Sequence, residues 1–228
     1  NDKGGQEVAH QIGNSCEFFK ADVTKAEDWN ALEKHLGDRF KKITSVINAA
    51  GISEPSSIED ETVEHWNRTH AINGTSVFLG CQFGVKAMKE SKGTIVNFSS
   101  SLATRPKPFV VSYNYSKAGV LILTRTVALH CAEMGYNIRC NAVQPGAIDT
   151  PMMRRYVDIA EDPGEECLVF LAKSQSIPVL GKSIYEVLGQ VRSSGHPELA
   201  EEGETAVVQP DHRFRPGPAH VFNCVLVA

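Results

Sequence analysis

Ile43-Thr44-Ser45-Val46-Ile47-Asn48-Ala49-Ala50-Gly51 is a short apolar run of the kind buried on both faces in a parallel sheet, closed by a glycine. Outward from it, helix and strand signals alternate. Upstream, Thr24 can cap a helix with acidic Glu27 and Asp28 in its first turn and Trp29, Leu32 and Leu36 along one face. Before that, residues 16–23 read as a strand with Asp22 at its end, and residues 1–12 as the end of a helix striped by Val8, Ala9 and Ile12. Downstream, residues 62–89 carry two helical segments divided near Asn73-Gly74, and 94–98 is the next buried strand. A long helix over 112–134 and a strand over 137–143, ended by Pro145-Gly146, complete the series. Strands alternating with helices predict an α/β fold with a doubly wound parallel sheet.

Composition narrows the class of function. A chain of 228 residues suits one α/β domain with a substantial core. Its formal charge of −4 argues against a nucleic-acid or anionic-membrane surface, both of which favour basic patches. No apolar run approaches the roughly 18 residues of a spanning helix, and no secretory apolar segment leads the chain. The six cysteines are scattered without a Cys-x-x-Cys pair and read as reduced, mostly buried thiols of a cytoplasmic protein. The eight histidines show no metal-binding spacing, so no metal site is expected. Asn67, Asn73, Asn97 and Asn114 each open an Asn-x-Ser/Thr triplet, which chance explains. The chain starts at Asn1 rather than methionine and reads as a fragment or processed form.

The chemistry concentrates in Tyr113-Asn114-Tyr115-Ser116-Lys117. Tyr113 and Lys117 stand four apart near a helix start and so share one face. A phenol has a reference pKa of about 10, and an ammonium beside it favours the phenolate, bringing that proton within reach of chemistry. Tyr115, two positions on, points elsewhere. Each feature has a plainer reading alone: Tyr113 as a packing residue, Asn73-Gly74 as a helix break, Ser99-Ser100-Ser101 as a strand-end turn, and Pro145-Gly146 as an ordinary turn.

Ser100, thirteen residues before Tyr113, completes with Asn48-Ala49-Ala50-Gly51 and Asn73 an ordered pattern that resembles the short-chain dehydrogenase/reductase family over residues 1–190. Within it the chain is most similar to bacterial hydroxysteroid and cyclic-alcohol dehydrogenases. The resemblance implies a Rossmann-like sheet, a nicotinamide cofactor and hydride exchange with a secondary alcohol or ketone. It implies Tyr113 as acid/base, Lys117 as the group that lowers its pKa and bonds the cofactor ribose, and Ser100 as the holder of the substrate oxygen. Asn73 would position a water that passes the proton through Lys117 to solvent. Cofactor contacts fall on Asp22 and Val23 at the adenine, on Asn48, Ala50 and Gly51 at the adenine ribose, and on Pro145, Gly146, Ile148 and Thr150 at the nicotinamide. Met152, Met153 and Tyr156 begin a segment over the substrate, where an apolar cover suits a small hydrophobic alcohol or ketone and core packing is an equal reading. Ala49 stands where the family has a second asparagine, removing a polar side chain that would brace the sheet. NAD is favoured, with NADP open.

Two regions depart from the family. The first strand, glycine-rich turn, helix and second strand have no counterpart before Asn1, and the closing strand is not found after Val191. With the usual strand order 3-2-1-4-5-6, the strands at 16–23 and 43–50 would flank two missing positions. An incomplete, interrupted or rearranged sheet with exposed edges is therefore expected. With no helix N-terminus present to hold the pyrophosphate, the 228-residue chain is expected to bind the dinucleotide poorly or not at all and to show no measurable turnover. Residues 1–191 form a partial dehydrogenase domain, and 192–228 read as a different reading frame, an alternative exon or a flexible extension, with strand character only at 221–227. Homo-oligomerisation is expected through the helix of Tyr113 and the preceding one. A shortened, non-catalytic binding protein is the alternative function.

Overall fold

The computed structural model describes residues 2–39, 42–146, 148, 150–153, 205–208 and 223–227. Six strands form one sheet: β1 (Cys16–Phe19), β2 (Ile43–Asn48), β3 (Lys92–Phe98), β4 (Asn137–Val143), β5 (Thr205–Val208) and β6 (Asn223–Val227). Their spatial order is β1-β6-β5-β2-β3-β4, and every adjacent pair is parallel. The carboxyl ends of all strands therefore lie along one edge. The helices are α1 (Asp2–Ile12), α2 (Ala26–Arg39), α3 (Val63–His70), α4 (Ser76–Met88) and α5 (Val111–Glu133).

Burial on the two faces follows the strand alternation. Val46 and Ile95 face one side with Ile138 and Cys140, where Trp29, Leu32 and Leu36 of α2, Val77 and Phe83 of α4 and Val120 and Cys131 of α5 complete the main core. Ile47 and Val96 face the other side, under Val8, Ala9 and Ile12 of α1. The stripes expected for α1 and α2 are thus the faces that pack. Removing a side chain of this size from water is worth about 1.5–3 kcal/mol, so the fully buried Leu32, Val46 and Ile95 anchor the layers.

The rearrangement lies between β1 and β2. Strands β6 and β5 occupy the two positions there and pair along β1 and β2 respectively. The order is that of a doubly wound sheet whose opening pair of strands is supplied by the chain's far end. Thr205-Ala206-Val207-Val208 is four residues long and flanked by acidic and proline-rich sequence, too short to announce itself by periodicity. Residues 192–204 and 209–222, with the remainder of the expected extension and the position of a closing strand, lie outside the described residues.

Two local expectations change. The strand expected over 16–23 ends at Phe19. Thr24 does not cap α2: its hydroxyl donates to Asp22 Oδ1 at 2.6 Å and its N–H to the same oxygen at 3.0 Å, closing a turn that leads into the helix. Thr62, by contrast, caps α3 by accepting from His65 N at 3.1 Å. The expected break at Asn73-Gly74 is a π-helical turn, Ala71–Thr75, continuous with α3 before it and α4 after it. Such turns insert one residue into a helix and redirect its side chains.

Candidate functional site

Asn73 sits on that π turn and is fully buried. Its Oδ1 accepts from Ile52 N at 2.8 Å, and its Nδ2 donates to Ile52 O at 2.9 Å and Ser116 Oγ at 3.1 Å. The amide thereby fixes the loop after β2 to the first turns of α5. Ser116 in turn donates to Tyr113 O at 2.8 Å. A Cβ built on Gly51 would lie 3.3 Å from both Asn73 Oδ1 and Lys117 Nζ, so these three residues meet at the carboxyl end of β2.

Lys117 is only 4% exposed. Its Nζ donates to Phe98 O at the end of β3, at 2.9 Å, and lies 5.6 Å from the centre of the Tyr113 ring. Burying an ammonium is costly unless it is bonded, and the strand-end carbonyl provides a partner. Ser99 holds the same turn from the other side, its hydroxyl donating to Lys117 O at 2.7 Å. Tyr113 is half-buried. Tyr115 is 61% exposed and turns toward α3, with ring centroids 5.0 Å from both Trp66 and His70. The helix geometry thus separates the two tyrosines as their spacing predicts.

Ser100 lies two residues beyond β3 and is buried; its Oγ accepts from Leu102 N at 3.1 Å, capping the short 3-10 turn Ser101–Ala103. Ser101 N donates to Pro145 O at 2.9 Å and Ser99 N to Val143 O at 2.9 Å. These bonds tie the ends of β3 and β4 together, so Ser100 and the Pro145-Gly146 turn share the sheet edge where Gly51 and Lys117 meet. Asp22 and Val23 follow β1 on that same edge. The Thr24 hydroxyl, then its backbone N–H, hold the exposed Asp22 carboxyl below its ordinary value; Val23 O accepts from Trp29 Nε1 at 2.9 Å. Ala50 is half-buried and Ile148 exposed. Thr150 Oγ1 accepts from Met153 N at 3.3 Å, and Met152 and Met153 are half-buried. Tyr156 lies outside the described residues.

The Asn48 side chain points inward rather than along the edge. Its Nδ2 donates to Asn97 Oδ1 at 2.8 Å, Asn97 Nδ2 donates to Thr124 Oγ1 at 2.9 Å, and Thr124 donates to Val120 O at 2.7 Å. This buried polar chain crosses β2, β3 and α5. It braces the sheet by a route that does not need residue 49 to be polar. A Cβ at residue 80 would collide with the Asn48 amide, so Gly80 on α4 is a requirement of the brace. The bracing roles of Ser99, Ser116, Asn97, Thr124 and Gly80 leave no sign in the sequence. Ser116 sits inside the Tyr113–Lys117 run, and its hydrogen bond with Asn73 is visible only once the chain is folded.

Among the described residues no group of three or more His, Cys, Asp or Glu could hold a metal, and no helix is long and apolar enough to cross a membrane.

Comparison with known proteins adds a second line of observation. The profile of a family described as Enoyl-(Acyl carrier protein) reductase matches residues 1–172. The 3-beta-hydroxysteroid dehydrogenase of Comamonas testosteroni is 38% identical over 154 residues, 68% of this chain and 61% of that protein. The NADP-dependent (R)-specific alcohol dehydrogenase of Lentilactobacillus kefiri is 35% identical over 65% of this chain and 61% of its own length. The cyclopentanol dehydrogenase of Comamonas sp. (strain NCIMB 9872) is 32% identical over 69% of this chain and 64% of its own length. The chain thus spans about three fifths of the length of these curated relatives.

Proposed function

Because the chain belongs to the short-chain dehydrogenase/reductase family, we propose that it is a cytoplasmic NAD(P)-dependent oxidoreductase that interconverts a hydrophobic secondary alcohol and its ketone. Hydroxysteroids and cyclic alcohols are the substrate class, as the names of the relatives suggest. The observation that carries this reading is the buried Lys117 ammonium 5.6 Å from the Tyr113 ring, on the sheet edge that also bears Ser100. Residues 1–191 are the dehydrogenase domain in this proposal, and 192–228 an appended segment that lends it β5 and β6.

The described residues fit a dinucleotide along the edge. In parallel α/β sheets ligands lie outside the carboxyl ends of the strands. Here those ends carry Asp22, Val23, Ala50, Gly51, Pro145 and Gly146 beside the Tyr113–Lys117 pair. Asn48 would act there through its backbone, since its side chain is committed to the brace. Gly51 leaves open the space that a side chain would fill between Asn73 and Lys117, which suits the approach of a ribose. The cofactor, when bound, supplies hydride acceptance and donation. NAD is the proposed form.

The chain's own groups then manage the proton and the geometry. Tyr113 gives its phenolic proton to the developing alkoxide in reduction and takes it in oxidation. Lys117, with its positive charge beside the ring, makes the phenolate accessible near neutral pH. Ser100 donates to the substrate oxygen as charge gathers on it, a role in which one donor contributes several kcal/mol. Asn73, whose side chain holds the loop after β2 against α5, positions the water that returns the proton through Lys117. Met152, Met153 and Tyr156 cover the apolar part of the substrate.

A test is direct: incubate the chain with NAD or NADP and a panel of steroid and cyclic secondary alcohols, and follow reduced nicotinamide by absorbance. Turnover with at least one alcohol is expected, in contrast to the inactivity expected from the sequence, because β5 and β6 fill the interruption in the sheet. A folded chain that turns over none of them with either dinucleotide sinks the reading and favours a non-catalytic binding role.

A further inference from the structure

Strand β6 comes from the far end of the chain and lies beside β1, the first strand. The two run parallel in the register Cys16↔Cys224, Glu17↔Val225, Phe18↔Leu226 and Phe19↔Val227. Two of the six cysteines therefore stand directly opposite one another. Neighbouring strands run about 4.8 Å apart, and the Cα atoms of a disulfide usually lie about 4.4–6.8 Å apart. Residues paired across a sheet project from the same face. For this row it is the face of Ile47 and Val96, since Cys16 packs with them beside Val8, Ala9 and Ile12 of α1.

The surroundings favour this pairing over others. Across the sheet the same row continues through Ala206 of β5 to Ser45 of β2, so it holds only small residues. Cys81, Cys131 and Cys140 belong to the main core, with the sheet between them and Cys16. Cys167 lies outside the described residues. Cys16 is half-buried and within reach of a small reagent, whereas Cys81 and Cys131 are sealed at 2% and 0% exposure. Cys16 opens β1 and Cys224 is the second residue of β6. The row thus crosses the amino edge of the sheet, opposite the edge that bears Tyr113 and Lys117.

We propose that Cys16 and Cys224 are a redox-sensitive clasp: in an oxidising thiol pool they join in a disulfide that fastens β6, and with it β5, to β1. The oxidant is a low-molecular-weight disulfide of the glutathione class. One protein thiolate attacks it, forming a mixed disulfide and expelling one glutathione thiolate; the second protein thiolate attacks the protein-borne sulfur and expels the other. Two S–H bonds are lost and one S–S bond is gained. The two protons pass to the expelled thiolates, so the oxidised glutathione ends as two thiols. In a reducing compartment the clasp stands open, and strands of four and five residues hold the middle of the sheet by non-covalent pairing. Closing it ties residue 16 to residue 224, which takes freedom from the unfolded ensemble and so favours the folded sheet.

The test uses the full chain and needs no turnover, so it succeeds or fails separately from the dehydrogenase reading. The reduced chain is equilibrated with mixtures of reduced and oxidised glutathione, folded or in urea, then trapped with an alkylating agent, digested and mapped by mass spectrometry. The expected product is an intramolecular link between the peptides bearing Cys16 and Cys224, favoured about 10²-fold more in the folded chain than in urea. The linked chain should melt roughly 5–10 °C above the reduced one, and dithiothreitol should abolish the rise. Cys16→Ser and Cys224→Ser should each show no rise; if either does not fold, the parent's map and melting shift decide. Glutathione adducts at both residues without a link would overturn the proposal, as would a link to Cys167 or another cysteine in place of this one. A link no more favoured in the folded chain than in urea, or one that leaves the melting midpoint unchanged, refutes it equally.

Discussion

Replacing Asn73 by alanine removes three hydrogen bonds at once: two to the backbone of Ile52 and one to Ser116 Oγ. Each buried bond of this kind contributes about 0.5–1.5 kcal/mol net, so the expected loss is about 3 kcal/mol. For a domain of this size 1 kcal/mol moves the midpoint by roughly 2–4 °C. Thermal unfolding followed by circular dichroism should therefore show a fall of about 6–12 °C. Ser116→Ala loses the shared bond and its own bond to Tyr113 O, and should cost about 1–2 kcal/mol. The double variant must then be less destabilised than the sum of the two, by about 1 kcal/mol, because one bond is common to both. An Asn73→Ala protein within 1 kcal/mol of the parent would refute this account of the π turn, as would strict additivity.

Three further outcomes follow. Asp22 and Glu61 both have folded pKa values below their unfolded ones, so the stability they contribute is present above roughly pH 4–5 and lost as pH falls through the lower folded values; urea midpoints should drop across that acidic window and stay level above it. Ending the chain at residue 204 removes β5 and β6 and opens the sheet between β1 and β2, so the shortened chain should lose its cooperative transition and aggregate, whereas an unchanged melting curve would deny those strands their structural role. Phe78 on α4 and Ile122 and Leu129 on α5 are large apolar side chains left exposed; the chain should sediment as a homo-oligomer at micromolar concentration, and Ile122→Glu should shift it toward monomer.

Most of the sheet was legible because its logic is local. Ile43–Asn48 and Lys92–Phe98 are β-branched and apolar on both faces, and Trp29, Leu32 and Leu36 sit at helical spacing. The gap between β1 and β2 could be anticipated from the order of elements. Its filling could not, because pairing of β5 with β2 and of β6 with β1 is a long-range event that four- and five-residue strands do not encode in periodicity. At the site, the placement of Tyr113 and Lys117 on one helix face follows from their spacing alone. The partners of Asn73 and the inward turn of Asn48 arise where separate elements meet, and the run of letters around each residue carries no trace of them. Thr24 illustrates the limit at short range: it has the chemistry of a cap, but the nearer Asp22 carboxylate takes its hydroxyl.

The central claim is that Tyr113, on the turn shared with Lys117, carries the proton of the reaction. Its most direct measurement is steady-state turnover of an active secondary alcohol by the parent and by Tyr113→Phe, with dinucleotide affinity of both determined by calorimetry. The substitution removes one hydroxyl and keeps the ring beside Lys117. The account predicts unchanged dinucleotide binding and a fall in kcat of about 10²- to 10⁴-fold, the usual share of a general acid–base group. A Tyr113→Phe chain that keeps the parent kcat would contradict it.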